Sequence, residues 1–226
     1  MDLRSVDAII FVLRDVILNM EYLRTILAFN ELCEQNSTNI YEQEEQADLF
    51  DDFEHGRISA SQFRNRLRAL FSIDCDDAAI DHAWNAMLLD IPPAGIQLLE
   101  QLGKHKRLFL LSYTNSIHKL AFNSIFQSLE GHHQENIDAL FERTYYSHEL
   151  EKEDGSVPDM LQSVIDQNHL NPSRTLLIAK NISKNASTMP TTVVEMQTYH
   201  LGRDETLANL PWLREICDDS QEKALG

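Results

Sequence analysis

An Arg-Asp pair, Arg14 and Asp15, interrupts the apolar run IIFVLRDVIL from Ile9 to Leu18. A guanidinium is protonated at any workable pH and presents a fork of donors to carboxylate or phosphate oxygens. The neighbouring aspartate offers the opposite charge. Other chemically capable side chains are more scattered. His132 and His133 are adjacent in the polar loop SLEGHHQEN, a setting in which histidines are ordinarily solvated rather than metal-bound. His118 and His148 fall near strand ends, but no Ser or Cys at a fixed spacing completes a nucleophilic triad with them. Cys33, Cys75 and Cys217 form no CxxC pair and leave an odd one over, so neither a zinc site nor a disulfide framework is indicated and a reducing compartment fits.

The elements that must position these groups are legible as apolar runs. Ile9 to Val12 is continuous and β-branched or aromatic, which suits a strand covered on both faces. Arg14 and Asp15 then stand at its tip, where open α/β sheets place their ligands. Arg107 to Thr114, Arg143 to Ser147, Arg174 to Ala179 and Glu195 to His200 read as four further strands. Between them the pattern predicts helices over Gly95 to Leu102, Ser116 to Phe126 and Val157 to Asn168, a helical turn at Ile137 to Phe141, and a closing helix near Leu207 to Ile216. Strands alternating with helices give an α/β fold with a doubly wound parallel sheet, a Rossmann-like core. The tail from Asp218 has the composition of a disordered segment.

Asn19 to Leu89 differs in character, being charged, helical in period and free of proline. Tyr22, Ile26, Phe29 and Cys33 share a helix face. Ser59 and Gln62 have the spacing of a capping box, with Ile58 and Phe63 as a hydrophobic staple, and Phe63, Leu67, Leu70 and Phe71 make one stripe. Another helix carries Ile80, Ala83, Trp84, Met87 and Leu88; Trp84 and Met87 read as core. Pro92-Pro93 marks the return to the main domain. The predicted organisation is a core of residues 1–18 and 91–226 with a helical cap of residues 19–90. The acidic run Glu42, Glu44, Glu45, Asp48, Asp51, Asp52 reads as an exposed helix face.

With 226 residues, 43% hydrophobic, the chain can bury a substantial core. Its net charge of −17 argues against nucleic acid or an anionic membrane as partner, because phosphate binding runs on Lys and Arg. No window approaches a membrane span, and the N-terminus lacks the pattern of a secretion signal, so the expected location is cytoplasmic.

Four stretches, in order, carry a resemblance. The chain resembles the haloacid dehalogenase-like (HAD) hydrolase superfamily, in particular its members with a helical cap after the first strand. IIFVLRDVIL is similar to the opening strand, FEHGRISASQFRNRL to a cap stretch, LFLLSYTNSIH to the second motif and NPSRTLLIAKN to the fourth, with EMQTYHL as the next strand. The resemblance implies an Asp-x-Asp first motif, whose first carboxylate is nucleophile and magnesium ligand and whose second is general acid and base. Those positions hold Val12 and Arg14. Valine has no lone pair to attack or coordinate, and arginine exchanges no proton. The family's third-motif lysine falls near Asp154, with Lys152 two residues early, and its fourth-motif acidic pair falls on Ala179 and Lys180, with Lys184 or Asn185 where an asparagine usually follows. Ser112 keeps the second motif's phosphate-holding hydroxyl, followed by Thr114 and Asn115.

These replacements remove carboxylates from a metal site and add cations. A unit charge about 4 Å from a divalent ion at an effective dielectric of about 20 costs roughly 8 kcal/mol, about six decades of affinity. Losing a covalent nucleophile costs on the order of a millionfold in rate. The resulting expectation is a catalytically inactive HAD-like hydrolase homologue, a pseudoenzyme that binds no cofactor and acts as a binding or regulatory module. At its strand tips, Arg14 and Lys180 either close a salt-bridge cluster with Asp15 and Asp154, or hold a small phosphorylated anion together with Ser112, Thr114 and Asn115. Other expected partners are a protein, or a second copy in a homodimer. The alternative is an active, magnesium-dependent phosphatase of small phosphorylated metabolites that works with displaced residues.

Overall fold

The computed structural model describes residues 5–33, 44–150, 156–180 and 195–213, without the side chains of 44–47. Five strands, β1 (Ala8–Val12), β2 (Arg107–Ser112), β3 (Arg143–Tyr146), β4 (Thr175–Ala179) and β5 (Gln197–His200), form one sheet in the order β3-β2-β1-β4-β5. Every pairing is parallel, with Val12 opposite Leu111 and Ile10 opposite Leu177. The continuous apolar runs have a plain cause, since alternate residues feed two different cores. Ile9, Phe11, Leu108 and Leu110 pack against helices α5 (Pro93–Leu102) and α6 (Ser116–Gln127) through Leu99, Leu102, Phe122 and Phe126. Ile10, Phe109, Leu111 and Leu177 face the other way, onto Met160, Leu161, Val164 and Ile165 of α7 (Val157–Gln167).

Among the described residues, four helices lie between β1 and α5: α1 (Tyr22–Leu32), α2 (Glu44–Glu54), α3 (Ala60–Phe71) and α4 (Asp77–Asn85). Together they bury a third cluster around Phe29, Phe53, Phe63, Leu67, Ile80 and Trp84, to which α6 contributes Ile117. The capping box forms: the Gln62 N–H donates to Ser59 Oγ at 3.3 Å, and the Ser59 N–H donates to Gln62 Oε1 at 2.8 Å. The chain enters and leaves this helical insert side by side. The Asn19 N–H donates to the Asp90 carbonyl at 2.9 Å and the Leu89 N–H to the Asn19 carbonyl at 3.0 Å, while Met20 and Leu88 form an antiparallel bridge.

Several element ends differ from expectation. β1 is not among them, ending at Val12 as its apolar run does; beyond it Asp15 adopts φ +58, a left-handed conformation that Asp tolerates better than most residues. α5 begins at Pro93, as expected of a proline pair that leads into the first turn of the helix running on through Gly95 to Leu102. β2 ends at Ser112, β3 at Tyr146, and β4 and β5 start at Thr175 and Gln197. At the predicted closing helix a 3-10 turn spans Leu207–Asn209 and helical geometry resumes only at 211–213. Asp154, Lys152, Lys184, Asn185, Cys217 and the tail from Asp218 lie outside the described residues. Among the described residues no helix is long and apolar enough to cross a membrane.

Candidate functional site

Beyond Val12 the backbone turns sharply, with the Leu18 and Ile17 N–H groups both donating to the Leu13 carbonyl at 3.0 Å. This turn aims Arg14 away from the sheet and into the helical insert. Its guanidinium donates to Glu54 Oε1, at the C-terminal end of α2, in a close ion pair whose side chains are 24% and 16% exposed. Tyr22, on α1, also engages the guanidinium. Burial works against the charge on Arg14, but Glu54 and Tyr22 outweigh it and the arginine stays firmly protonated. Burial lifts the Glu54 carboxyl above its ordinary value, with Arg14 pulling the other way.

Asp51 and His55 share the α2 face that carries Glu54, as residues three and four apart must. The Tyr113 hydroxyl, just past the β2 tip, donates to Asp51 Oδ1 at 2.7 Å. His55 Nδ1 lies 2.9 Å from the Asp51 carbonyl and 3.0 Å from the Tyr113 oxygen. A carbonyl only accepts, so Nδ1 carries the proton. Burial and then the Asp51 hydrogen bond push the Tyr113 phenol far above its ordinary range, so it acts as a fixed donor. Burial tends to raise the Asp51 carboxyl, but hydrogen bonds from Arg57 and Tyr113 hold it below its usual value.

The same seam is closed by Ser147, at the β3 tip. Its hydroxyl accepts from the Thr114 N–H at 2.8 Å and donates to the Glu54 carbonyl at 2.6 Å. Two residues past Glu54 the chain turns at Gly56, φ +66, so close to the core that a Cβ there would stand 2.3 Å from the His148 carbonyl oxygen. His148 Nδ1 in turn lies 3.1 Å from the Thr114 carbonyl.

A second seam lies at α4. His118 stacks on Trp84, with ring centroids 5.0 Å apart and planes 9° from parallel. Its Nε2 donates to the Trp84 carbonyl (3.1 Å) and its Nδ1 accepts from the Asn115 amide (3.1 Å). Asn115 Oδ1 meanwhile caps α6 by accepting from the His118 N–H at 3.0 Å. Burial pushes the His118 imidazole down to about 3, so it is neutral.

Thus the residues selected from the sequence are not all brought together. Arg14 does not cluster with Lys180 and Asp15 as expected, because Glu54, reaching in from α2, takes its charge. Asp15 and Lys180 instead line a separate cavity of about 190 Å³, bounded by Gly95 at the start of α5 and by Arg203 and Asp204. Ala179 is fully buried at the end of β4. Of the expected ligand contacts, Asn115 caps α6 with its side chain, while Thr114 bonds Ser147 and His148 through its backbone. Ser112 Oγ is buried and has no partner among the described residues. Asp51 keeps the exposure expected of its face, its side chain being 47% exposed, yet accepts from Tyr113 of the core; Glu54, His55 and Tyr113 were missed. The spacing of Asp51, Glu54 and His55 was the available signal.

No protein-family model matches the chain. It is 24% identical over 171 residues, 75% of this chain and 81% of the relative, to a D-ribitol-5-phosphate phosphatase of Bacteroides thetaiotaomicron. Crystal structures of a HAD family enzyme from the same organism match at 26% identity with a TM-score of 0.77, covering 88% of this chain and 95% of theirs. An aspartate-to-alanine variant of that enzyme, in complex with magnesium and inorganic phosphate, matches with a TM-score of 0.76. The fold is also shared with a predicted HAD-like family hydrolase from Porphyromonas gingivalis, at 21% identity and a TM-score of 0.75. On this combination of strand order and relatives, the chain belongs to the HAD-like hydrolase superfamily.

Proposed function

We propose that this protein is a HAD-fold binding module without phosphatase chemistry, its hydrolytic edge replaced by a charge-paired seam between sheet and cap. The observation that carries this reading is the Arg14–Glu54 ion pair. Where the family resemblance asks for an acid-base carboxylate, this chain has a permanently charged guanidinium, already neutralised by the cap. The magnesium held by the relative takes oxygen ligands. Val12, Arg14, Ala179 and Lys180 offer no oxygen from their side chains, and two of them repel a cation, so the residues present do not fit the ion.

Within that reading, Arg14 is a closing residue rather than an anion contact. The Ser112 hydroxyl and the Lys180 ammonium, neither bonded to a described side chain, are the groups left to meet a small anion.

The second reading is a phosphatase of a small phosphorylated polyol working with displaced residues. The named relatives favour it over loss of activity, because the phosphatase relative is matched over 81% of its length. One experiment separates the two: phosphate release from D-ribitol 5-phosphate and from p-nitrophenyl phosphate by the purified full chain with millimolar magnesium, paired with calorimetric titration of magnesium. The binding-module reading expects neither release above buffer nor a metal isotherm. Saturable release that needs magnesium would install the phosphatase reading in its place.

A further inference from the structure

Helices α1 and α4 pack antiparallel, and two hydrogen bonds set their register. The Glu21 N–H, at the start of α1, donates to the Met87 carbonyl at 2.8 Å, and the Thr25 hydroxyl donates to the Trp84 carbonyl at 3.1 Å. Advancing along α1 therefore means retreating along α4. Eight residues on from Thr25 stands Cys33; nine back from Trp84 stands Cys75. Cys33 is the C-terminal cap residue of α1, and Cys75 directly precedes Asp76, the N-cap of α4. Both are half-buried free thiols against the same apolar cluster, and Cys33 lies near enough to act electrostatically on Cys75.

We propose that Cys33 and Cys75 form a redox pair, closing under peroxide to an intramolecular disulfide that ties the end of α1 to the start of α4. One thiol is first oxidised by hydrogen peroxide to a sulfenic acid, releasing water. The other, as thiolate, attacks that sulfur; the S–S bond forms, the S–O bond breaks, and the oxygen leaves as a second water. Cys33 has already left the helix (φ −93, ψ 128), and the Cys75 segment is held through its carbonyl, which accepts from Arg68 Nε at 2.9 Å, so the bond fixing this segment does not use the thiol. Burial raises the Cys75 thiol above its ordinary value, so the pair closes slowly and serves as a structural clip rather than a catalytic thiol. The ring it closes encloses α2 and α3, and hence the helix that supplies Glu54. This holds whether or not the chain hydrolyses phosphate esters.

The test uses the full chain carrying Cys217→Ser, treated with hydrogen peroxide and compared with its dithiothreitol-reduced form. The expected result is a mass lower by two hydrogens, a Cys33–Cys75 cross-linked peptide in a non-reducing digest, and a Tm raised by roughly 5–10 °C for a loop of this length. All three should reverse with dithiothreitol and be absent in Cys33→Ser. Oxygen adducts on either cysteine without the cross-link, cross-links only between molecules, or a cross-link with unchanged Tm would each overturn the proposal.

Discussion

The helical insert meets the sheet's outer layer along two seams of opposite chemistry. At α4 the joint is an aromatic stack, Trp84 on a neutral His118, with each ring nitrogen assigned a partner. At α2 it is ionic and shallower: Arg14 to Glu54, Tyr113 to Asp51, and the Ser147 hydroxyl to the α2 backbone. The difference teaches which side is anchor and which is latch. Opening the stack exposes aromatic area that nothing in water replaces, whereas opening an ion pair lets both charges regain hydration.

If the α4 seam is the anchor, Trp84→Ala has the largest effect, a loss of about 3–5 kcal/mol in denaturant unfolding, as for other buried aromatic deletions. A smaller loss than for any α2 substitution would reverse the assignment. Acid attacks the same seam. His118 titrates near 6.5 when unfolded but at about 3 when folded. The unfolded chain therefore takes up that proton first as pH falls. Stability is whole above pH 6.5 and drains towards pH 3 by roughly 3–5 kcal/mol. Unfolding followed across that range should show a flatter slope in His118→Gln, and an unchanged slope would separate the stack from acid sensitivity.

At the latch, Arg14→Ala leaves the Glu54 carboxylate half-buried without its partner and should cost about 1–3 kcal/mol, less than the deep-interior figure because the pair is partly solvated. The double variant Arg14→Met/Glu54→Leu should recover most of that, since it removes both charges; thermal unfolding of the set gives the comparison. Gly56→Ala is expected to cost about 1–2 kcal/mol, because its φ of +66 disfavours a side chain and its Cβ would collide with the His148 carbonyl oxygen. Amide exchange in α2 faster than in α4 would place the opening on the ionic side.

The core was largely legible in the sequence because each strand is a continuous apolar run with helices of 3.6-residue period between, and those patterns report burial directly. The capping box at Ser59 and Gln62 was legible for a similar reason, being a purely local bond. The site was less so. That Val12 and Arg14 replace carboxylates could be read from the resemblance alone, but the partner of Arg14 lies 40 residues away on another element. Charge in sequence does not say which carboxylate reaches a given arginine. Asp15 is adjacent in sequence, yet Glu54 takes the charge because the turn at Asp15 redirects the chain. His118 was legible only as a histidine near a strand end without triad partners, since nothing in sequence marks a buried neutral imidazole stacked on a distant tryptophan.

The paired entry and exit of the insert carry a consequence for how the chain folds. Asn19 and Asp90 hold each other through backbone and side chain, 71 positions apart in sequence. Closing a loop of that length costs only slowly growing entropy, about 0.6 kcal/mol per doubling, and once those bonds form the sheet no longer senses how many residues lie beyond them. To β1 and α5, the four helices amount to a tight hairpin. Residues could be added or removed within the insert, away from its seams, with little change in how readily the two halves of the sheet find one another.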